Sequence, residues 1–352
     1  MQAHVEGDLV VLDAPGRERF YDSRGYGDPR GDGLALSRVE AAHLLYRGDI
    51  DAVEGRGFES FLTSEPGLAA RFLVYKNLRD RGFYLSAARE GWVDDPAGAD
   101  FIVFPRGQGP WDDAVEYRVR VVAERESVPA DALGDVVLAV VDEESELTYL
   151  ETDHIDVSGS TATTLDWSVD ATLLDDRAVV WGPPEGLYHE GFYGQPLDDQ
   201  GTALQLSLVE AAYLAREGVI SFEGNEGRDA SPGQSAHGAA DGVEAVVDCG
   251  REAEGERFDR RLSVYADLRG RGVVPKTGFK FGADFRTYAD VESVDALGHS
   301  ELLVRVLPAN HVFSPRDLSL DVRLAHGVRK RMVFAFTSGD GIEWLTVGRL
   351  TP

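Results

Sequence analysis

Short apolar runs alternate with stretches of helical period along this chain, and the alternation occurs twice. Leu9-Val10-Val11-Leu12 predicts a strand, and Ala178-Val179-Val180-Trp181 predicts its counterpart. Leu36-Ser37-Arg38-Val39-Glu40-Ala41-Ala42 and Leu206-Ser207-Leu208-Val209-Glu210-Ala211-Ala212 each predict a helix start. In both, serine sits at the N-cap and glutamate three residues on, the pattern of a capping box. A second helix is predicted over 74–82 and again over 264–272, each stopped by glycine. Strands follow at 100–104, 116–122 and 136–141 in the first half, and at 279–288, 301–307 and 332–336 in the second. In the second half Ser314-Pro315 opens a helix that runs toward Lys330. Residues 224–255, rich in Gly, Ala, Ser and Glu, have no counterpart of that length and read as a mobile loop insertion.

The doubling reaches individual residues. Tyr26-Gly27-Asp28-Pro29 returns as Tyr193-Gly194-Gln195-Pro196, and Ala99-Asp100-Phe101 as Ala283-Asp284-Phe285, in the same order as the helical matches. Chance does not preserve order across four such strings, so the chain reads as a duplicated mixed α/β domain. The first repeat is expected over 1–158 and the second over 167–352, joined by a small polar linker at 159–166 near Ser158-Gly159-Ser160-Thr161. Within the second repeat an N-terminal subdomain is expected over 167–275 and a mixed-sheet subdomain over 276–352.

Composition narrows the class. Of 352 residues, 43% are hydrophobic, enough for substantial cores. No run approaches the roughly 20 apolar residues of a membrane span, and no secretory signal pattern is visible. Cys249 is the only cysteine, which excludes an intrachain disulfide and a cysteine-cluster metal site. The expectation is a soluble cytoplasmic protein with no membrane partner. Against 35 Lys+Arg stand 62 Asp+Glu, a net charge of −27. Lysine occurs only at Lys76, Lys276, Lys280 and Lys330, so the other 35 − 4 = 31 cations are arginines. Dispersed carboxylates with scarce lysine suit a protein working in molar salt, where the Debye length falls to about 3 Å. In such a chain each lysine asks what retains it.

The chemistry lies where the two halves differ. Aligned strand by strand, Tyr288 faces Phe104, His299 faces Ala114 and Lys330 faces Gly134. Singly, each has an ordinary explanation: a tyrosine at a strand end, a histidine in a turn, a lysine answering a helix dipole. Their joint loss from the sister repeat, inside a retained apolar frame, favours function.

This pattern resembles the archaeal tRNA-splicing endonuclease family in its form with two fused repeats per chain. The resemblance spans nearly the whole chain. Its most specific stretches are Lys280-Phe281-Gly282-Ala283-Asp284-Phe285-Arg286-Thr287-Tyr288, His299-Ser300-Glu301-Leu302-Leu303-Val304 and Val322-Arg323-Leu324-Ala325-His326-Gly327-Val328-Arg329-Lys330. It implies a catalytic trio of Tyr288, His299 and Lys330, RNA-gripping arginines at Arg323 and Arg349, and a nuclease subdomain over 276–352. Each repeat is then an α/β subdomain followed by a mixed-sheet nuclease subdomain, degenerate in the first copy. Arg323 and Lys330, seven residues apart, would share one face of a helix.

The trio suits metal-free RNA cleavage by the substrate's own 2′-OH. An imidazole titrating near 6.5 can protonate the 5′-oxygen, an ammonium can face charge on the phosphoryl oxygens, and a phenol helped by a nearby cation can take the 2′ proton. The products would be a 2′,3′-cyclic phosphate and a 5′-OH, with no cofactor and no metal.

The resemblance also implies a homodimer acting on precursor tRNA in bulge–helix–bulge form. The acidic loop Asp142-Glu143-Glu144-Ser145-Glu146 would dock into a basic cleft of the partner, and the apolar strand edges 147–150 and 342–347 would carry much of the contact. Two alternatives remain open: a non-catalytic RNA-binding or scaffold subunit of the same fold, and a metal-dependent nuclease, for which Asp284 and Glu301 are the nearby candidate ligands.

Overall fold

The computed structural model describes residues 3–96, 98–112, 114–222 and 238–352. The chain forms two compact units. The first runs to Asp153 and includes Val312–Val322 and Val347–Pro352; the second comprises His154–His311 and Arg323–Thr346.

In the first unit, β1 (Leu9–Leu12) pairs antiparallel with β2 (Gly33–Ser37), Val10 opposite Leu36. Helix α1 (Arg38–Tyr46) follows with the expected capping box: the Glu40 amide donates to Ser37 Oγ, and Glu40 accepts from the Ser37 amide. Helix α2 (Leu68–Asp80) packs on a second sheet of β3 (Phe101–Val103), β4 (Tyr117–Ala123), β5 (Val136–Val141) and β6 (Leu147–His154). Phe101 lies opposite Val119 in an antiparallel ladder, and Val119 opposite Val137 in a parallel one.

The second unit repeats this plan. Strands β7 (Arg177–Trp181) and β8 (Ala203–Ser207) lead into α3 (Leu208–Arg216), capped by Ser207 and Glu210. The expected loop at 224–255 instead carries helix α4 (Gly238–Glu254), while 224–237 lies outside the described residues. Its apolar residues Val246 and Val247 are buried in the unit's core. The composition is loop-like, but alanine, glutamate and apolar residues at helical spacing suffice for a helix that has a core to face.

Helix α5 (Glu256–Gly270) precedes a sheet of β9 (Val274–Thr277), β10 (Phe285–Tyr288) and β11 (Leu302–Pro308). After α6 (Pro315–Gly327) the sheet continues with β12 (Arg331–Ser338) and β13 (Gly341–Leu350). Residues 279–288 are not one strand: Phe279–Phe281 forms a 3-10 turn, and Gly282 takes a φ of +71° before β10 begins. Phe285 lies opposite Val304 antiparallel, and Val304 opposite Val333 parallel, matching the first unit's register residue for residue.

Buried ionic groups tie helices to sheets in both units. Arg269 lies 3.8 Å from the Tyr193 ring and donates to Gly191 O; Arg79 lies 4.1 Å from the Tyr26 ring and donates to Arg24 O. Asp284, its side chain 5% exposed, accepts from the Val306 amide at 2.8 Å and pairs with Arg257 and Arg261 of α5. Asp100 repeats the backbone bond, to Val121 at 2.8 Å.

One bond is special to the second unit. Lys276 Nζ, 10% exposed, reaches Glu210 Oε1 at 2.9 Å and the carbonyls of Phe192 and Gly194. Burial pushes the Glu210 carboxyl up, but the charge and hydrogen bond of Lys276, with backbone donors, bring it below the ordinary value. Glu40, with no lysine, is raised by its burial. This is what retains one of the scarce lysines.

The segment Ser158–Thr161 is not a free linker. Gly159 N donates to Arg271 O at 2.9 Å, Ser160 N to Ala289 O at 2.7 Å and Thr161 N to Gly272 O at 3.0 Å. A Cβ at Gly159 would lie 2.3 Å from Gly272 O, so only glycine allows the approach. The segment thus fixes the residue after Tyr288. On the strand edges expected to carry a dimer, Tyr149 belongs to the core of the first unit and Trp344 to that of the second.

Lys276→Met should destabilise the fold by about 3–5 kcal/mol, because it strands a buried carboxylate. Urea unfolding in molar KCl measures this, and adding Glu210→Gln should recover most of the loss.

Candidate active site

Three strand ends define the site. Arg286 of β10 lies opposite Leu303 of β11, and the Glu301 amide donates to Thr287 O at 3.3 Å. Leu302 lies opposite Arg331 in the parallel β11–β12 ladder, and the Arg331 amide donates to Glu301 O at 3.0 Å. Tyr288, the His299–Ser300 approach to β11, and Lys330 therefore stand level at one end of three adjacent strands. By ordinary strand spacing this sets the outer two backbones about 10 Å apart.

Tyr288, 7% exposed, packs edge-on against Phe192 at 5.6 Å, in a small apolar cluster with Val274 and Val291. The Arg286 guanidinium lies 5.7 Å from its ring. Among the described residues its hydroxyl makes no hydrogen bond. His299 is exposed, with its ring likewise uncommitted among the described residues.

Lys330 sits outside the helix expected to carry it. Helix α6 ends at Gly327; Arg329 N then donates to His326 O at 3.0 Å and Lys330 N to Ala325 O at 2.9 Å, with Arg329 at φ +56°. This pair of bonds is a Schellman stop, with arginine in the left-handed position usually held by glycine. Lys330 and Arg323 therefore do not share a helix face. The Lys330 ammonium donates to both the carbonyl and the hydroxyl of Ser300, and lies 5.7 Å from the Phe281 ring. Burial, and then the charge of Arg286, hold it below the ordinary lysine range.

Sequence reasoning missed Ser300 and Arg286. Nothing in its own string marks Ser300, but Arg286 was open to the comparison that found Tyr288, since its aligned partner is Ile102. In the first unit Ile102, Phe104 and Ala114 meet in a cavity of about 260 Å³ with Trp92 and Trp111. The positions matching Arg286, Tyr288 and His299 thus converge there too, without their polar groups.

Arg323 is exposed on α6. Arg349 is exposed on β13, in the stretch Val347–Pro352 that counts with the first unit. Asp142, Glu143 and Glu144 lie in the turn between β5 and β6. The Asp142 carboxylate accepts from the amides of Glu144 and Glu146 at 2.9 and 2.8 Å, leaving Glu143 and Glu144 exposed.

The alternative metal ligands are not brought together. Asp284 is engaged with Arg257, Arg261 and Val306 beyond the far end of β10, whereas Glu301 borders a separate cavity with Thr287, Ala289 and Arg331. No cluster of three or more His, Cys, Asp or Glu able to hold a metal occurs among the described residues.

Among the described residues Lys280, Arg286, Arg323, Arg329, Lys330 and Arg331 have no carboxylate within ion-pair distance, a property they share with Arg56, Arg106 and Arg216 elsewhere in the chain. Of these, Arg286 and Lys330 stand at the strand ends beside Tyr288 and Ser300, where an unneutralised cation suits a phosphodiester.

Comparison with known proteins agrees. The family model for the catalytic C-terminal domain of tRNA intron endonuclease matches residues 258–344, which contain all of Tyr288, His299, Arg323 and Lys330. The model for the N-terminal domain matches twice, at 1–62 and 169–234. The domains are thus those of a tRNA intron endonuclease, with the N-terminal domain present twice. The tRNA-splicing endonucleases of Natronomonas pharaonis and Haloarcula marismortui are each 61% identical to this chain over the full length of both partners. That of Methanosarcina acetivorans is 38% identical over 99% of both. The chain belongs to the tRNA-splicing endonuclease family. No described helix is long and apolar enough to cross a membrane.

Ser300→Ala removes one of the two acceptors that hold the Lys330 ammonium. Single-turnover cleavage should slow by about tenfold, the scale of one neutral hydrogen bond, with RNA affinity unchanged.

Proposed function

We propose that this chain cuts precursor tRNA at intron boundaries by metal-independent transesterification, with Tyr288, His299 and Lys330 around one scissile phosphate. The observation that carries this reading is the common level of three strand ends, with Lys330 anchored on the residue next to His299. In the first unit Phe104, Ala114 and Gly134 occupy the matching positions.

Tyr288 takes the 2′-OH proton, the 2′-oxygen attacks phosphorus in line, and His299 protonates the departing 5′-oxygen. Lys330 faces the negative charge that builds on the non-bridging oxygens. One P–O bond forms and one breaks, and no water enters. The ends are a 2′,3′-cyclic phosphate and a 5′-OH, and both side chains recover their starting protonation from solvent. Only an unstacked nucleotide can align 2′-oxygen, phosphorus and 5′-oxygen, which favours cuts in the bulges of a bulge–helix–bulge RNA. Arg323, exposed and without an acidic partner among the described residues, is suited to stacking on a bulged base, with Arg349 as the second arginine.

One catalytic set per chain and two cuts per intron call for a two-fold homodimer in the cytoplasm. The turn holding Glu143 and Glu144 is the segment offered to the partner's basic cleft. Its one ion pair, Glu143 with Arg125 at 2.8 Å, is exposed on both sides and weakly held.

In molar KCl with EDTA, the chain should cut a bulge–helix–bulge RNA at both bulges, and end-group analysis should find cyclic phosphate and 5′-OH. His299→Ala should lower the cleavage rate roughly 10²–10⁴-fold while leaving RNA binding intact. Binding without cleavage by the unaltered chain would support the scaffold alternative. Loss of cleavage with EDTA would support the metal-dependent one.

A further inference from the structure

Arg286 is the cation nearest the Tyr288 ring, and no role is yet attached to it. It lies two residues before Tyr288, so both side chains project from the same face of β10. Its guanidinium is 5.7 Å from that ring. Its Nε is buried and makes no hydrogen bond. A buried N–H without an acceptor is costly, and this chain has carboxylates in excess to supply one.

Three cations packed near Arg286 are neutralised. Lys276, paired with Arg286 across β9 and β10, is held by Glu210, and Arg257 and Arg261 are held by Asp284. Arg286 has no carboxylate within ion-pair distance among the described residues. Its charge is nevertheless felt at two lysines: after burial it helps hold Lys330 below its ordinary range, and at Lys276 it adds to the larger effects of burial and Arg269, against the opposing pull of Glu210. Arg286 on β10 and Lys330 before β12 lie on strands flanking β11, toward the same end of the sheet. In the first unit, where Tyr288, His299 and Lys330 are replaced, Arg286 is replaced as well, by Ile102, buried at 2% exposure.

We propose that Arg286 is a fourth functional group of the site, its guanidinium contacting a non-bridging oxygen of the scissile phosphate opposite the Lys330 ammonium. This rests on the cleavage reading above. A guanidinium presents several N–H donors in a rigid fork, which fits an oxyanion better than a second ammonium does. The pentacoordinate state carries more negative charge on those oxygens than the starting diester, so a preorganised cation acts mainly on the chemical step. The anion would also relieve the Arg286–Lys330 repulsion and give the guanidinium an acceptor.

Arg286→Met keeps the aliphatic stem and removes the charge; Arg286→Lys keeps the charge. Single-turnover cleavage of the bulge–helix–bulge RNA by the dimeric full chain should fall about 100-fold for the methionine variant, with half-saturation moved less than about threefold. The lysine variant should stay within about tenfold of the unaltered chain. A second measurement does not need catalysis. Binding of the same RNA with 2′-deoxy residues at the cleavage positions should lose about 0.7–0.9 from its log affinity–log salt slope in the methionine variant. Methionine-variant cleavage at the unaltered rate, equal losses in both variants, or an unchanged salt slope would each overturn the role of Arg286. Failure of the unaltered chain to cleave would instead count against the cleavage reading itself.

Discussion

The site depends on the register between three strands. Arg286 opposite Leu303 and Leu302 opposite Arg331 bring residues 288, 299–300 and 330 level, although a long helix separates the last two in sequence. Side-chain period is two residues, so a slip of one in the β10–β11 ladder would turn Tyr288 and Arg286 to the opposite face, and a slip of one between β11 and β12 would shift Lys330 out of level. The register is enforced from outside the site. Asp284 locks α5 to β11 through Arg257, Arg261 and the Val306 amide, and Ser160 and Thr161 bond to Ala289 and Val291 just past the Tyr288 strand end. Side chains on strand ends fixed in this way need little reorganisation, which is what the proposed electrostatic catalysis requires.

Acidity and the active region follow opposite electrostatic rules. Acidic residues outnumber basic ones 62 to 35, and exposed pairs such as Glu143–Arg125 contribute little once salt screens them. The ion pairs that organise the fold, Lys276–Glu210 and Asp284–Arg261, are buried and keep their strength in molar salt. Relatives from haloarchaea share the whole chain at 61% identity, in keeping with that design. Arg286 and Lys330, at the strand ends, have no carboxylate partner among the described residues and are left for an anionic substrate.

The doubled pattern made much of this legible. Capping boxes at Ser37 and Ser207 show in the sequence because they depend on residues three apart. Tyr288, His299 and Lys330 stand out because the sister copy supplies an internal control at Phe104, Ala114 and Gly134. Other features depend on tertiary contacts. Helix α4 has a loop-like composition and is decided by the core it covers. The stop of α6 before Lys330 uses arginine at a position where glycine is the usual signal, so the helical pattern runs on past the true end. Ser300 matters only because β11 and β12 are neighbours. Arg286 was visible to the same internal control, but an arginine in a strand of an arginine-rich chain carries no mark until its partners are known to be missing.

The central claim is that these three strand ends surround a single phosphate. A crystal structure of the chain with a bulge–helix–bulge RNA, its cleavage-site 2′-hydroxyls replaced by hydrogen, tests it most directly. The account predicts one phosphate in each bulge, with the His299 ring and the Lys330 ammonium at about 2.6–3.2 Å from its oxygens and the Tyr288 hydroxyl facing the missing 2′-oxygen. A scissile phosphate seated elsewhere, out of reach of Tyr288, His299 and Lys330, would contradict it.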